Sequence, residues 1–216
     1  MFVKINDVEL FYEIQGQGSP IILLHGNGED HKIFKTLLKV LTKTHKVYTI
    51  DSRCHGQSSV SKNLSYDIMA DDIIKFIKKL NIQKPMLYGF SDGGIIGLLI
   101  AIREPLLLKK LIISGANLNP AGLHPKVQAK IQKLADRGNV LYQLMAREPN
   151  IDPADLSKIE IPTVVLAGQR DVVLEEHTRL IANSIRRSTL EIIPKEDHSS
   201  YIVHSKKLYP ILKKYI

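Results

Sequence analysis

Residues Gly89-Phe90-Ser91-Asp92-Gly93-Gly94 narrow what this chain can fold into more than any other stretch of it. They fit G-x-S-x-G, with a strand-like run before them (Pro85-Met86-Leu87-Tyr88) and a helix-like run after them (Ile95-Ile96-Gly97-Leu98-Leu99-Ile100-Ala101). A serine on so tight a strand-to-helix turn is held in a strained conformation, with its hydroxyl projecting from the sheet edge. Glycines on either side let strand and helix approach without Cβ clashes. The helix also points its N-terminal amides toward the serine, where negative charge develops during acyl transfer. The plainer alternative is a Gly-rich turn whose serine only caps a helix.

A nucleophilic serine needs a base, and the base needs an orienting acid. Both occur downstream, in the order Ser, Asp, His. The run Ile161-Pro162-Thr163-Val164-Val165-Leu166-Ala167-Gly168 reads as a buried parallel strand, with Asp171 just past its end. Thr189-Leu190-Glu191-Ile192-Ile193 reads as the next strand and leads into a loop carrying His198. Ligands bind beyond the carboxyl ends of strands in open parallel sheets. Three strands are therefore expected to bring Ser91, Asp171 and His198 to one edge. Asp197 adjoins His198 in sequence and is expected to be a solvated charge, because adjacent side chains rarely face each other.

With two further segments added, the chain resembles the α/β-hydrolase family over its whole length. These are His25-Gly26-Asn27-Gly28 after an early strand and Asp51-Ser52-Arg53-Cys54-His55-Gly56-Gln57-Ser58 after the next. The resemblance implies a mostly parallel central sheet flanked by helices. It implies an oxyanion hole formed by the backbone amides of Asn27 and Asp92, and structural roles for His25, His55 and Asp51. A serine at the nucleophile position argues against the dehalogenase and epoxide-hydrolase chemistry that uses aspartate there. Cys54 stands where the family pattern usually has glycine. It is read as a small residue in a loop whose φ does not require glycine, or as a redox-sensitive thiol.

Strand-like and helix-like segments alternate from residue 20 onward, as right-handed crossovers in a parallel sheet require. Helices are expected from about His31 to Leu41, Ser65 to Leu80, Leu174 to Arg186 and Ser199 to Ile216, and a strand from Leu106 to Ser114. One excursion breaks the alternation, with helix-like pieces Pro125 to Leu134, Asn139 to Arg147 and Pro153 to Lys158. The resemblance makes residues 116–158 a small helical cap on a core of residues 1–115 and 159–216. The alternative is that these helices only cover core. Leu118, Leu123, Leu141, Tyr142, Leu144, Met145 and Val172 are candidates for lining the pocket or anchoring the cap. The Asp92 carboxylate is either hydrogen-bonded locally at the helix start or a selector for a cationic substrate group.

The 216 residues suffice for one domain with a substantial core. The net charge of +8 is spread as single and paired lysines, without the basic block interleaved with aromatics that marks a nucleic-acid binder. The longest apolar stretch is about half a membrane span, and charge among the first seven residues argues against a signal peptide. A lone cysteine fits a reducing cytoplasm. No histidine pair has metal-ligand spacing, so no metal and no cofactor are expected. His31, His45, His124, His177 and His204 are read as surface residues. The expected function is hydrolysis of small carboxylic esters or related acyl compounds, with a small molecule as partner and neither nucleic acid nor membrane. Amide, peptide or C–C bond hydrolysis on the same residues, a slow-turnover ligand-binding protein and an interaction scaffold remain the alternatives.

Overall fold

Successive side chains along a strand point to opposite faces of the sheet, so a continuously apolar strand must be covered on both. In the computed structural model, which describes residues 1–216, β3 (Ser19–Leu24) sends Ile21 and Leu23 into one core and Ile22 and Leu24 into another. The same alternation places Ile112 in the first of these cores and Leu111 and Ile113 in the second. A single sheet thus divides two apolar layers.

The strands are β1 (Phe2–Ile5), β2 (Val8–Gln15), β3, β4 (His45–Ile50), β5 (Met86–Phe90), β6 (Lys110–Ser114), β7 (Thr163–Arg170) and β8 (Ser188–Asp197). Their spatial order is β1-β2-β4-β3-β5-β6-β7-β8. β1 and β2 form an antiparallel ribbon at one edge, and β2 joins β4 antiparallel. All later pairings are parallel. The helices are α1 (Lys35–Leu41), α2 (Tyr66–Lys79), α3 (Asp92–Arg103), α4 (Pro125–Ala135), α5 (Val140–Arg147), α6 (Glu175–Ser184) and α7 (Leu208–Leu212). α2, α3 and α6 cover the face bearing Ile22 and Ile113, while α1 and α7 cover the face bearing Ile21 and Ile112. Because β3 to β8 run parallel, the loops after them gather at one edge.

Local signals place several boundaries. Ser65 caps α2 by accepting from the Ile68 amide at 3.1 Å, and Asn139 caps α5. Three expected elements are shorter than their apolar runs. The helix expected from His31 starts as a 3₁₀ turn, His31–Phe34, and becomes α-helical only at Lys35. The strand expected from Leu106 starts at Lys110, because residues 104–107 form a turn that leaves Leu106 exposed. The helix expected over Ser199 to Ile216 is continuous only over Leu208–Leu212. His204 interrupts it, with φ 51° and its amide bound to the Ile33 carbonyl instead of a helical partner.

The sharpest electrostatic constraint lies between the loop after β4 and α2. Arg53 is almost fully buried. Its Nε donates to Asp72 Oδ2 at 2.6 Å and its Nη2 to Asp72 Oδ1 at 2.8 Å. Nη1 donates to the Asn63 carbonyl and Nη2 also to Asp7. Removing one partner of a buried pair strands the other charge without solvent. Asp72→Ala is therefore expected to lower the unfolding free energy by about 3–5 kcal/mol in urea titrations; a loss near that of an exposed ion pair would contradict this.

Candidate active site

The turn after β5 is built as the G-x-S-x-G pattern requires. Ser91 has φ 51° and ψ −113°, and it immediately precedes α3. Its amide donates to the Ser114 carbonyl at the end of β6 at 2.8 Å, and the Gly93 amide donates to the His25 carbonyl at 3.1 Å. A Cβ at position 89 would sit 2.1 Å from the Gly93 carbonyl oxygen, and one at position 93 would sit 2.4 Å from the Leu24 carbonyl oxygen. No side chain fits at either place, so these glycines set how closely strand, helix and neighbouring strand approach.

Asp171 directly follows β7, and His198 directly follows β8. His198 Nε2 lies 3.1 Å from Ser91 Oγ, and His198 Nδ1 lies 2.6 Å from Asp171 Oδ1. The amides of Val173 and Gly168 also donate to the Asp171 carboxylate, at 3.1 and 3.2 Å. Gly115, at φ 63°, leaves room for the imidazole: a Cβ there would be 2.6 Å from His198 Cε1. The three residues from separate strands thus form one hydrogen-bonded line. Asp197 faces away and accepts from the Ser199 and Ser200 amides of its own loop.

The loop after β3 abuts Ser91, since a Cβ on Gly26 would be 3.1 Å from Ser91 Cβ. The Gly26 and Gly93 amides are taken up by Glu29 Oε2 and the His25 carbonyl. The Asn27 and Asp92 amides donate to no group of the protein. Buried polar groups hold this loop from behind. His25 Nε2 accepts from the Ser52 amide, so its Nδ1 carries the proton and donates to the Gly26 carbonyl. Asp51 accepts from the His31 amide and ring and from the Gln57 amide.

A family model described as the alpha/beta hydrolase fold matches residues 19–144. The chain belongs to this family. The sn-1-specific diacylglycerol lipase ABHD11 of Danio rerio is 31% identical over 136 residues, covering 61% of this chain. That match spans 43% of the lipase, less than half its length. The serine hydrolase BPHL of Homo sapiens is 26% identical, over 93% of this chain and 80% of that protein. Among solved structures, a thermophilic esterase from Thermogutta terrifontis superposes with a TM-score of 0.82 at 23% identity, over 100% and 97% of the two chains. That likeness concerns the fold. The relatives of this α/β hydrolase include esterases, lipases and other hydrolases. No helix in it is long and apolar enough to cross a membrane.

The excursion between β6 and β7 carries α4 and α5, which lie over the Ser91 edge. A cleft of about 210 Å³ opens at Ser91 and His198, walled by Tyr142, Met145, Val127 and Ile131 from these helices and by Val172. A second cavity of about 350 Å³ shares Ile131 and Met145 with it. The structure separates the candidate residues by role. Tyr142, Met145 and Val172 reach the cleft. Leu123 lines only the second cavity and packs on Ile131 and Val173. Leu118 and Leu144 are fully buried in the larger core and anchor the excursion. Leu141 contributes its carbonyl, which accepts from Asn27 Nδ2 at 3.3 Å.

Other residues depart from expectation. Asp92 does not wall the cleft: its buried carboxylate accepts from Tyr66 Oη at 2.8 Å and Asn27 Nδ2 at 3.1 Å, and burial raises its pKa. His31 and His177 are buried instead of exposed. His31 pairs with Asp51, and His177 Nε2 accepts from the Leu118 amide. Cys54 has φ 63°, a left-handed conformation that favours the family's glycine; as a cysteine it carries a strain cost of about 1–2 kcal/mol. Its Sγ exchanges hydrogen bonds with the Ser61 backbone. Glu29 was not anticipated. Half-buried, it walls the cleft beside Ser91, and burial raises its pKa. The only sign in the sequence was a carboxylate two residues beyond Asn27.

Burial, reinforced by neighbouring His55, pushes the His25 pKa down to about 4. A neutral buried histidine binds its proton more weakly folded than unfolded. Its contribution is thus complete above pH 6.5 and is lost as pH falls from there toward 4. Urea midpoints are expected to decline between pH 7 and pH 5 in wild type, and less steeply in His25→Gln. Gly115→Ala is expected to displace the His198 ring and slow fluorophosphonate labelling of Ser91 about 100-fold; an unchanged rate would contradict the packing described.

Proposed function

We propose that this α/β hydrolase is a serine hydrolase that cleaves small carboxylic esters or related acyl compounds through an acyl-enzyme. One observation carries the reading: the unbroken line from Ser91 Oγ through the His198 imidazole to the Asp171 carboxylate.

Asp171 accepts the Nδ1 proton and leaves Nε2 as the base facing Ser91. The serine hydroxyl donates to Nε2, and as Oγ attacks the substrate carbonyl its proton passes to the imidazole. Asp171 stabilises the imidazolium that results. The free amides of Asn27 and Asp92 supply donors for the oxyanion, each worth roughly 3 kcal/mol of barrier by analogy. His198 then protonates the leaving group, and a water activated by the same nitrogen resolves the acyl-enzyme. No metal is needed for these steps, and no three His, Cys, Asp or Glu side chains converge as a metal-binding group.

The excursion fits a small cap, residues 116–158, on a core of residues 1–115 and 159–216. It supplies one wall of the cleft while leaving the mouth open. A cleft of about 210 Å³ suits a small-molecule substrate. The single cysteine, Cys54, agrees with a cytoplasmic location.

Intact-mass labelling with a fluorophosphonate tests the reading: one adduct is expected on wild type and none on Ser91→Ala. Asp171→Asn favours the wrong histidine tautomer and is expected to lower kcat for a p-nitrophenyl ester about 10⁴-fold. An adduct that persists on Ser91→Ala, or full activity in Asp171→Asn, would defeat the proposal.

A further inference from the structure

We propose that Glu29 makes the cleft prefer esters bearing a positive charge near the scissile carbonyl. The inference rests on the serine-hydrolase reading and extends it to a substrate class. Gly26 defines a narrow gap: a Cβ there would lie 2.9 Å from Glu29 Oε2 and 3.1 Å from Ser91 Cβ. The carboxylate and the serine therefore flank the same space. Oε2 accepts from the Gly26 amide at 3.0 Å, and no group of the protein donates to Oε1. A half-buried carboxylate carries a desolvation cost that a positive charge on a ligand relieves. The raised pKa of Glu29 has burial as its first cause, which is the same cost seen in titration.

The other charges near the cleft do not cancel this. Asp92 is occupied by Tyr66 and Asn27. His198 is paired with Asp171. Lys130, on α4, also walls the cleft, but it is exposed and its charge is screened by water and salt. Glu29 is the one carboxylate among the cleft residues. The net charge of +8 acts on long-range encounter, whereas Glu29 acts at contact.

Two pairs of isosteric esters test the proposal, each differing only by quaternary nitrogen in place of carbon. Phenyl betainate and phenyl 3,3-dimethylbutanoate carry the difference in the acyl group. Butyrylcholine and 3,3-dimethylbutyl butyrate carry it in the alcohol. The readout is kcat/KM for the cationic ester divided by that for its neutral isostere. Glu29→Gln retains an oxygen for the Gly26 amide, and each neutral ester reports any shift of the loop. The ratio is expected to fall about tenfold in Glu29→Gln for at least one pair, and the responding pair identifies which side of the ester meets the carboxylate. Ratios unchanged in both pairs, with turnover dependent on Ser91, would overturn this inference alone. Neutral esters still hydrolysed by Ser91→Ala would overturn the serine-hydrolase reading and this inference with it.

Discussion

The backbone of Ser91, at φ 51° and ψ −113°, is the constraint around which the rest of this molecule is arranged. A non-glycine residue in such a conformation costs about 1–3 kcal/mol and persists only where its surroundings over-determine it. Here they do. The Ser91 amide is held by the last residue of β6, and the Gly93 amide by the loop after β3. α3 is buried along most of its length between β5 and its neighbours. The strand order β3-β5-β6 is thus the arrangement that supplies a partner on each side of the turn. The glycines at 89 and 93 are the gaps that permit it.

Behind this edge lies a cluster of buried polar groups. His25, His31, Asp51, Arg53 and Asp72 are nearly inaccessible to water, and all lie on or against the loops after β3 and β4. Each is bonded to backbone or to an opposite charge. Hydrogen-bonded buried groups rigidify their surroundings, and these back the loop that presents the Asn27 amide. The side chain of Asn27 adds a further tie, donating both to Asp92 beside Ser91 and to the Leu141 carbonyl of α5. The excursion is thereby coupled to the edge it covers.

The strand and helix pattern was legible because it is written in local signals. Apolar runs bounded by Gly, Pro and Asp marked β3, β5 and β7, and Ser65 marked the start of α2. Apolar runs overstated the elements wherever a tertiary bond competed. His204 gives its amide to Ile33, and the C-terminal helix shortens accordingly. The left-handed backbone of Cys54 is not legible in the sequence, because a φ angle depends on the path of a whole loop. The burial of His31 and His177 is not legible in the sequence, because nothing near them in sequence reveals Asp51 or the Leu118 amide as partners.

Chain order alone sets which residues gather at the common edge, since parallel β3, β5, β7 and β8 deliver Asn27, Ser91, Asp171 and His198 there. Where the carboxylates beside Ser91 point depends on the folded chain. Asp92 adjoins Ser91 in sequence, yet it turns into the protein because Tyr66 and Asn27 meet it there. Glu29 lies 62 positions from Ser91 and walls the cleft because β3 packs beside β5. Backbone alternation is a local property that composition records. The direction of a polar side chain follows from partners that folding brings from elsewhere in the chain.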